Sequence, residues 1–236
     1  MINNMNRNKD IYYSKKPMQV YESGFSKFLN NFTKNYSREE VAAEFNLSGE
    51  TCLDIACGDG ELANNFLSKK YKNVYGVDIS KDLINKAKLD KVVNCNFIVD
   101  DIDRFVKVNI KKGKKYDSIY LLAILEHIQW PSVFLSEVGK VVKKGGHVVI
   151  EVPNVAWLPY RIGMVFGRFP ITAPTTGVIP GVYDEHIRFF THKTLSKIAA
   201  ESGFKVEKVS CSGKFRFIKS LAYSLLSPDI VLLLKK

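Results

Sequence analysis

The stretch Thr51–Gly60 reads TCLDIACGDG, and it decides the fold of this chain. An apolar run with one acid, LDIA, ends at the turn CGDG and leads into a helical pattern from Glu61. This order predicts a strand, a glycine turn and a helix start. Gly58, Gly60 and Ala63 have the spacing of the relaxed nucleotide fingerprint, in which absent side chains let a ligand lie against the backbone at a helix N-terminus.

A second acid stands at the distance that a ribose requires. The apolar run VYGV ends at Asp78, 20 residues after Gly58, where a carboxylate can accept hydrogen bonds from both ribose hydroxyls. The alternative is a capping role in the helix predicted from Lys81, although Ser80 is itself a suitable N-cap. The strand, turn, helix and acid together predict a nucleoside site.

Two acids near the turn select among nucleoside cofactors. Asp54 lies inside the predicted strand and Asp59 lies in the turn, so both would repel the pyrophosphate of a nicotinamide cofactor. S-adenosylmethionine carries a sulfonium, an ammonium and no phosphate. The sequence therefore favours S-adenosylmethionine, and a nicotinamide-dependent reductase is the less favoured reading.

Five stretches carry a family resemblance. LDIACGDG, YGVDIS, FIVDDIDRF, YDSIYLLAILEHI and VVKKGGHVVIEVPN resemble, in order, the motifs of class I S-adenosylmethionine-dependent methyltransferases of the type 11 and type 23 kinds. The resemblance implies an α/β fold with a Rossmann-like, doubly wound, seven-stranded, mostly parallel sheet and an antiparallel last strand. The alternation of strand and helix patterns independently predicts a parallel sheet covered on both faces.

We expect three regions along the chain. Residues 1–46 form an N-terminal helical arm, with short helices at Val20–Tyr36 and Arg38–Phe45, and residues 47–236 form the methyltransferase domain. Within it, residues 153–191 hold five of the eight prolines and many aromatic residues without sustained periodicity. This insertion is predicted to be a substrate cap.

The resemblance also implies the cofactor-binding residues. They are Asp54, Ala56, Gly58, Gly60, Asp78, Ile79, Asp101, Ile102, Leu122 and Ala123. Asp54 is expected to face the methionine ammonium, Asp101 the adenine amino group, and the carbonyls of Leu122 and Ala123 the methionine channel. The alternatives are that Asp54 caps a neighbouring turn and that Asp101 belongs to a solvated acidic loop.

Methyl transfer to a hydroxyl needs alignment and a base. His127 is the first candidate because an imidazole titrates near neutral pH, and ordering the following helix is its alternative role. His186 is the rival candidate, and Asp184 could orient it. Glu126, His127 and Asp184 are too few for a metal site, so no metal is expected.

Composition narrows the remaining possibilities. The formal net charge of +11 invites a nucleic-acid partner, but most lysines are scattered through predicted helices, so nucleic acid is disfavoured. Four cysteines without CxxC spacing indicate reduced thiols. Met1–Asp10 is too rich in Asn, Arg and Lys for the apolar core of a signal peptide, and no run of about 18 apolar residues occurs, which favours the cytoplasm. Asn94–Val99 is predicted to be followed by only a short connection. The amphipathic segment Ile218–Leu226 is expected to pack on the sheet, with contact to an anionic membrane as its alternative.

The leading prediction is a methyltransferase acting on an oxygen or nitrogen of a small molecule, such as a sugar of a glycan precursor or a quinone-like ring. A second resemblance, in CGDGEL, Pro153-Asn154, GRFPIT and Tyr183-Asp184, is to the MetW family, which implies a partner protein of methionine biosynthesis with little activity of its own. An RNA methyltransferase and a homodimer also stay open.

Overall fold

Seven strands form one sheet, and a computed structural model describes them within residues 34–90, 92–170, 172 and 186–236. The strands are β1 (Gly49–Ile55), β2 (Tyr71–Asp78), β3 (Cys95–Val99), β4 (Tyr116–Leu122), β5 (Val142–Pro153), β6 (Lys205–Ser210) and β7 (Asp229–Lys235). Their order in the sheet is β3-β2-β1-β4-β5-β7-β6. The first five strands are parallel, and β7 runs antiparallel to both β5 and β6. The predicted fold class is confirmed.

Helices cover both faces of this sheet. They are α1 (Arg38–Glu44), α2 (Glu61–Asn65), α3 (Lys81–Ala87), α4 (Ile102–Lys111), α5 (Pro131–Val141), α6 (Leu158–Val165), α7 (His192–Glu201), α8 (Arg216–Ser220) and α9 (Tyr223–Leu226). One face buries alternate strand residues such as Leu53, Ile119 and Ile150, and the other buries Cys52, Tyr120 and Val149. Burial on both faces explains why the strands read as continuous apolar runs.

Helix α1 is the described part of the predicted arm. It begins with a capping box, in which the Ser37 hydroxyl accepts from the Glu40 amide and the Glu40 carboxylate accepts from the Ser37 amide. It buries Val41, Ala42 and Ala43 on the sheet. The helix predicted at Val20–Tyr36 lies largely outside the described residues, and Tyr36 forms a bridge with Gly213 instead of a helical turn.

Two expectations about secondary structure and packing are wrong. The predicted short connection after β3 contains α4, a ten-residue helix capped by Asp101 that buries Phe105, Val106 and Asn109. The segment Ile218–Leu226 spans two short helices, α8 and α9, and neither has a buried residue. Ile218 and Leu221 are exposed, whereas Leu225 and Leu226 are half-buried, so the expected packing is wrong for the first part of this segment.

Candidate functional site

The site lies where the strand order reverses direction. The chain leaves β1 toward β2 on one side, while β4 lies on the other side, so the carboxyl ends of β1 and β4 flank a crevice. The residues directly after these strands, Ala56 and Ala123, have left-handed φ angles of 59° and 49°. Such angles cost about 1–3 kcal/mol for a residue other than glycine and occur at ligand sites.

The two glycines of the first turn have different roles. A Cβ on Gly58 would meet nothing within 4 Å, so open space lies above this residue. A Cβ on Gly60 would lie 2.8 Å from the Ala87 Cβ and 2.9 Å from Phe97 Cζ. Gly58 thus leaves room for a ligand, whereas Gly60 lets α2 pack closely against its neighbours.

Asp78 ties the turn to the end of β2. Its Oδ2 atom accepts from the Gly58 amide at 3.0 Å, and its Oδ1 atom accepts from the Ser80 amide at 2.8 Å. The first bond ties the carboxylate to Gly58, which lines the crevice, and each oxygen keeps a second lone pair. The capping alternative belongs to Ser80, whose hydroxyl accepts from the Leu83 amide.

The crevice is acidic. It encloses about 430 Å³ including its mouth, and its lining is Arg38, Glu39, Asp54, Ala56, Cys57, Gly58, Asp59, Glu61, Leu62 and Leu122. Four carboxylates face one guanidinium, which suits a cation and opposes a diphosphate. Arg38 and Glu39 reach the crevice from α1, which sequence analysis missed because no local pattern shows that the arm folds over this edge.

One buried atom at the base of the crevice lacks a hydrogen-bond partner. Asp54 is 3% exposed, and its Oδ2 atom accepts no hydrogen bond from the described residues. The pKa of this carboxyl is raised to about 8, chiefly by burial and in addition by the charges of Glu39 and Asp78, while Arg38 opposes the shift. An ammonium group is the ligand chemistry that satisfies such an atom. The residues of the crevice therefore fit S-adenosylmethionine.

The expected adenine side is more open. Ile79 is 73% exposed after β2, and Ile102 is half-buried at the start of α4. The Oδ1 atom of Asp101 accepts from the Arg104 amide at 2.9 Å, and Asp100 accepts from the Arg104 guanidinium. Asp101 is thus a helix cap with one oxygen still available, and its role toward adenine stays a prediction.

Beyond β4, three side chains converge. Glu126 is 1% exposed, and neither of its carboxylate oxygens has a hydrogen-bond partner among the described residues. The His186 Nε2 atom lies 3.9 Å from Glu126 Oε1, and the rings of His127 and His186 meet edge to face at 4.8 Å between centroids. Burial raises the pKa of the Glu126 carboxyl, while the charge of His127 opposes the shift.

The backbone holds this cluster in place. The Glu126 carbonyl accepts from the amides of Ile187 and Arg188 at 2.9 and 3.0 Å, so residues 186–188 are fixed beside β4. The Thr172 hydroxyl lies 2.8 Å from His186 Nδ1. Sequence analysis missed Thr172, whose hydroxyl reaches the histidine from 14 positions away. Asp184 lies outside the described residues.

The spacing of the cluster suits a hydroxyl. One ligand atom from each of Glu126, His127 and His186 lies within 4.8 Å of the others. An atom shared by all three would lie at most about 2.8 Å from each, a range that includes hydrogen bonds to a hydroxyl and the roughly 2.0–2.2 Å bonds of a zinc ion. The expectation of no metal stays a prediction.

The arginines near the cap bond to backbone carbonyls. The Arg188 guanidinium donates twice to the Gln129 carbonyl, and Arg161 donates to the Ala156 carbonyl. Both side chains therefore stabilise loop backbone.

An open groove of about 750 Å³ runs between α4 and α5, and His127 and Trp130 line it.

Comparisons with known proteins agree with this geometry. A protein-family model described as Methyltransferase domain matches residues 30–209. The mitochondrial ubiquinone biosynthesis O-methyltransferase of Dictyostelium discoideum is 28% identical over 125 residues, which are 48% of this chain and 38% of that protein. The chain therefore spans less than half the length of this relative.

Two further similarities cover more of the chain. The ubiquinone biosynthesis O-methyltransferase of Rickettsia bellii is 21% identical over 192 residues, which are 80% of this chain and 75% of that protein. The crystal structure of a SAM dependent methyltransferase from Archaeoglobus fulgidus is similar with a TM-score of 0.57 and 22% identity, covering 91% of this chain and all of that one. The structural similarity supports the fold.

Proposed function

The chain belongs to the family of S-adenosylmethionine-dependent methyltransferases, and from that premise we propose that it methylates a hydroxyl oxygen of a small, ring-shaped acceptor. The observation that carries the proposal is the convergence of Glu126, His127 and His186 shortly after β4, whose last residue Leu122 lines the cofactor crevice. An imidazole beside a buried carboxylate is suited to removing a proton from a hydroxyl. The names of the relatives, which are O-methyltransferases of ubiquinone biosynthesis, point to the same reaction type.

Each residue then has a defined task. When bound, S-adenosylmethionine supplies a methyl group on a positively charged sulfur, which is already activated. Asp54 binds its ammonium group and Asp78 binds its ribose hydroxyls. The chain has no covalent step to perform, so alignment and proton removal are its contribution.

His127 is the residue that we assign as general base. It lines the groove between α4 and α5, which an acceptor can enter from solvent. The two ring nitrogens of His186 face Thr172 and Glu126, which suits a positioning role. The acceptor hydroxyl would give its proton to the His127 ring, and the Glu126 carboxylate would stabilise the resulting imidazolium.

The groove supports a ring-shaped acceptor. Trp130 is 65% exposed at its rim and Val133 is 58% exposed beside it, so an aromatic ring would find apolar surface there. We include a cytoplasmic location in the proposal, because the four cysteines are free thiols, as expected in a reducing compartment. Among the described residues, no helix is long and apolar enough to cross a membrane.

The test uses labelled cofactor and a panel of acceptors. The purified chain is incubated with S-adenosylmethionine carrying a radioactive methyl group and with a catechol, the matching dimethoxybenzene, an aniline, a sugar or an RNA. Methyl transfer to the catechol and none to the dimethoxybenzene is the expected result. Transfer to the RNA or the aniline alone, or no transfer despite cofactor binding, would contradict the proposal.

Two alanine variants, one at His127 and one at His147, test the assignment of the base. His127→Ala is expected to lower kcat by about 10²–10⁴-fold without weakening S-adenosylhomocysteine binding, because a base acts only on the acceptor. His147→Ala is the control. The His147 Nε2 atom lies 3.2 Å from Glu207 Oε2, and this pair lies away from the carboxyl ends of the strands. Equal activity of the two variants would remove His127 from the mechanism.

A further inference from the structure

Helix α6 exposes an unusual amount of apolar surface. It follows β5 at the same edge of the sheet as the crevice, and it has no buried residue. We call its exposed apolar side chains the α6 surface, and they are Leu158, Ile162, Met164, Val165, Phe166 and Phe169. Val165 is 81% exposed and Phe166 is 77% exposed. Large side chains exposed together in this way mark a contact surface.

Basic residues accompany the α6 surface in the sequence. Arg161 and Arg168 lie within this segment, and no aspartate or glutamate occurs at residues 154–183, before Asp184 and Glu185 follow. The chain as a whole carries a formal net charge of +11. Apolar side chains with basic neighbours and no acids are complementary to a bilayer that contains anionic lipids.

A second group of exposed apolar side chains is connected to the first through a shared polar anchor. Phe217 is 72% exposed and Leu221 is 75% exposed on and after α8, and Lys219 lies between them. The Asn154 side chain, just before α6, donates to the carbonyls of Ser224 and Ser227 at 3.1 and 2.8 Å. Both apolar segments therefore lead away from one buried polar anchor at the carboxyl end of β5.

We infer that the α6 surface, together with Phe217 and Leu221, docks this enzyme on an anionic membrane surface. The acceptor is then a lipid-soluble molecule that passes from the membrane surface into the open groove beside His127. This inference rests on the proposed function in naming the class of acceptor, but the docking itself is independent of methyl transfer.

The test measures binding of the full chain to vesicles by sedimentation. One set contains phosphatidylcholine alone, and the other contains roughly one third phosphatidylglycerol to supply negative charge. We expect binding to the mixed vesicles that weakens with added salt, and little binding to phosphatidylcholine alone. The double variant Val165→Ser with Phe166→Ser is expected to bind at least about tenfold more weakly, because it removes two apolar contacts.

The chain offers a matched control. Leu89 is 74% exposed and Val93 is 99% exposed, and both lie between α3 and β3. Leu89→Ser with Val93→Ser removes the same kind of surface away from α6 and is expected to bind vesicles as the unchanged chain does. Retained S-adenosylhomocysteine binding shows that both double variants are folded.

Three results would overturn the inference. The first is absence of binding to the mixed vesicles, and the second is an equal loss of vesicle binding in the two double variants. The third is a dimer of the unchanged chain in light scattering that only the α6 variant loses, because a second copy would then cover the α6 surface. Methylation of a water-soluble catechol separates this proposal from the proposed function. The α6 variant should retain that activity, whereas failure of the catechol assay with intact vesicle binding would reject the function alone.

Discussion

Replacing Asp78 with alanine should remove most of the affinity for the cofactor. The carboxylate already accepts the amides of Gly58 and Ser80, and its remaining lone pairs are placed for two ribose hydroxyls. Hydrogen bonds to a charged group contribute about 1.5–3 kcal/mol each, so two bonds contribute about 3–6 kcal/mol. Since 1.4 kcal/mol is tenfold in Kd, the expected loss is about 10²–10⁴-fold.

The assay is calorimetric titration with S-adenosylhomocysteine at a temperature where circular dichroism shows the variant folded. Asp78→Asn serves as the second variant, because its amide oxygen still accepts one backbone bond while the charge is lost. Asp82→Ala is the control, an exposed acid in the first turn of α3. A Kd within about threefold of the unchanged chain for Asp78→Ala would refute the ribose assignment.

Three other changes have defined outcomes. The Asp54 carboxyl has a pKa raised to about 8 and must ionise to pair with an ammonium, so the affinity for S-adenosylhomocysteine should rise up to about tenfold per pH unit from pH 6 to pH 8. Calorimetry on Asp54→Asn should show no such rise in affinity. Burial raises the pKa of Glu151 to about 8, so its protonated form favours folding at low pH and that contribution falls as pH rises from about 4.5 to 8. Glu151→Gln should therefore raise the urea midpoint at pH 8 more than at pH 5, and an equal change at both would disprove this. Gly76→Ala should cost about 1–3 kcal/mol of unfolding free energy in urea, because its Cβ would lie 2.6 Å from Phe97 Cδ1 and 2.8 Å from Cys57 Sγ, and an unchanged midpoint would contradict that packing.

The sheet was predictable because its signals are local. Each parallel strand is an apolar run that ends at a turn, and the period of the pattern changes where a helix begins. Helix α4 was not predicted, because the acidic residues at its start were interpreted as part of a ligand motif. Its buried residues Phe105, Val106 and Asn109 nevertheless lie at the spacing of one helical face.

The site was predictable only where a motif fixes a residue to a strand end. Asp54, Gly58 and Asp78 belong to such motifs. Asp54 and Gly58 line one crevice, and Asp78 accepts from the Gly58 amide. Arg38, Glu39 and Thr172 reach the site through tertiary folding, and nothing in the neighbouring sequence indicates where their side chains arrive. The same limit applies to α8, whose apolar residues Phe217 and Ile218 are exposed although the segment has the period of a packed helix.

The left-handed backbone at Ala56 and Ala123 limits how this enzyme can diversify. At these angles a side chain with branching at Cβ would collide with its own carbonyl, so valine, isoleucine and threonine are barred while glycine, asparagine and aspartate are tolerated. Changes of acceptor preference must therefore arise elsewhere, for instance at Trp130 and Val133. A library that randomises those two rim positions while leaving Ala56 and Ala123 unchanged should keep donor recognition constant as it samples new acceptors.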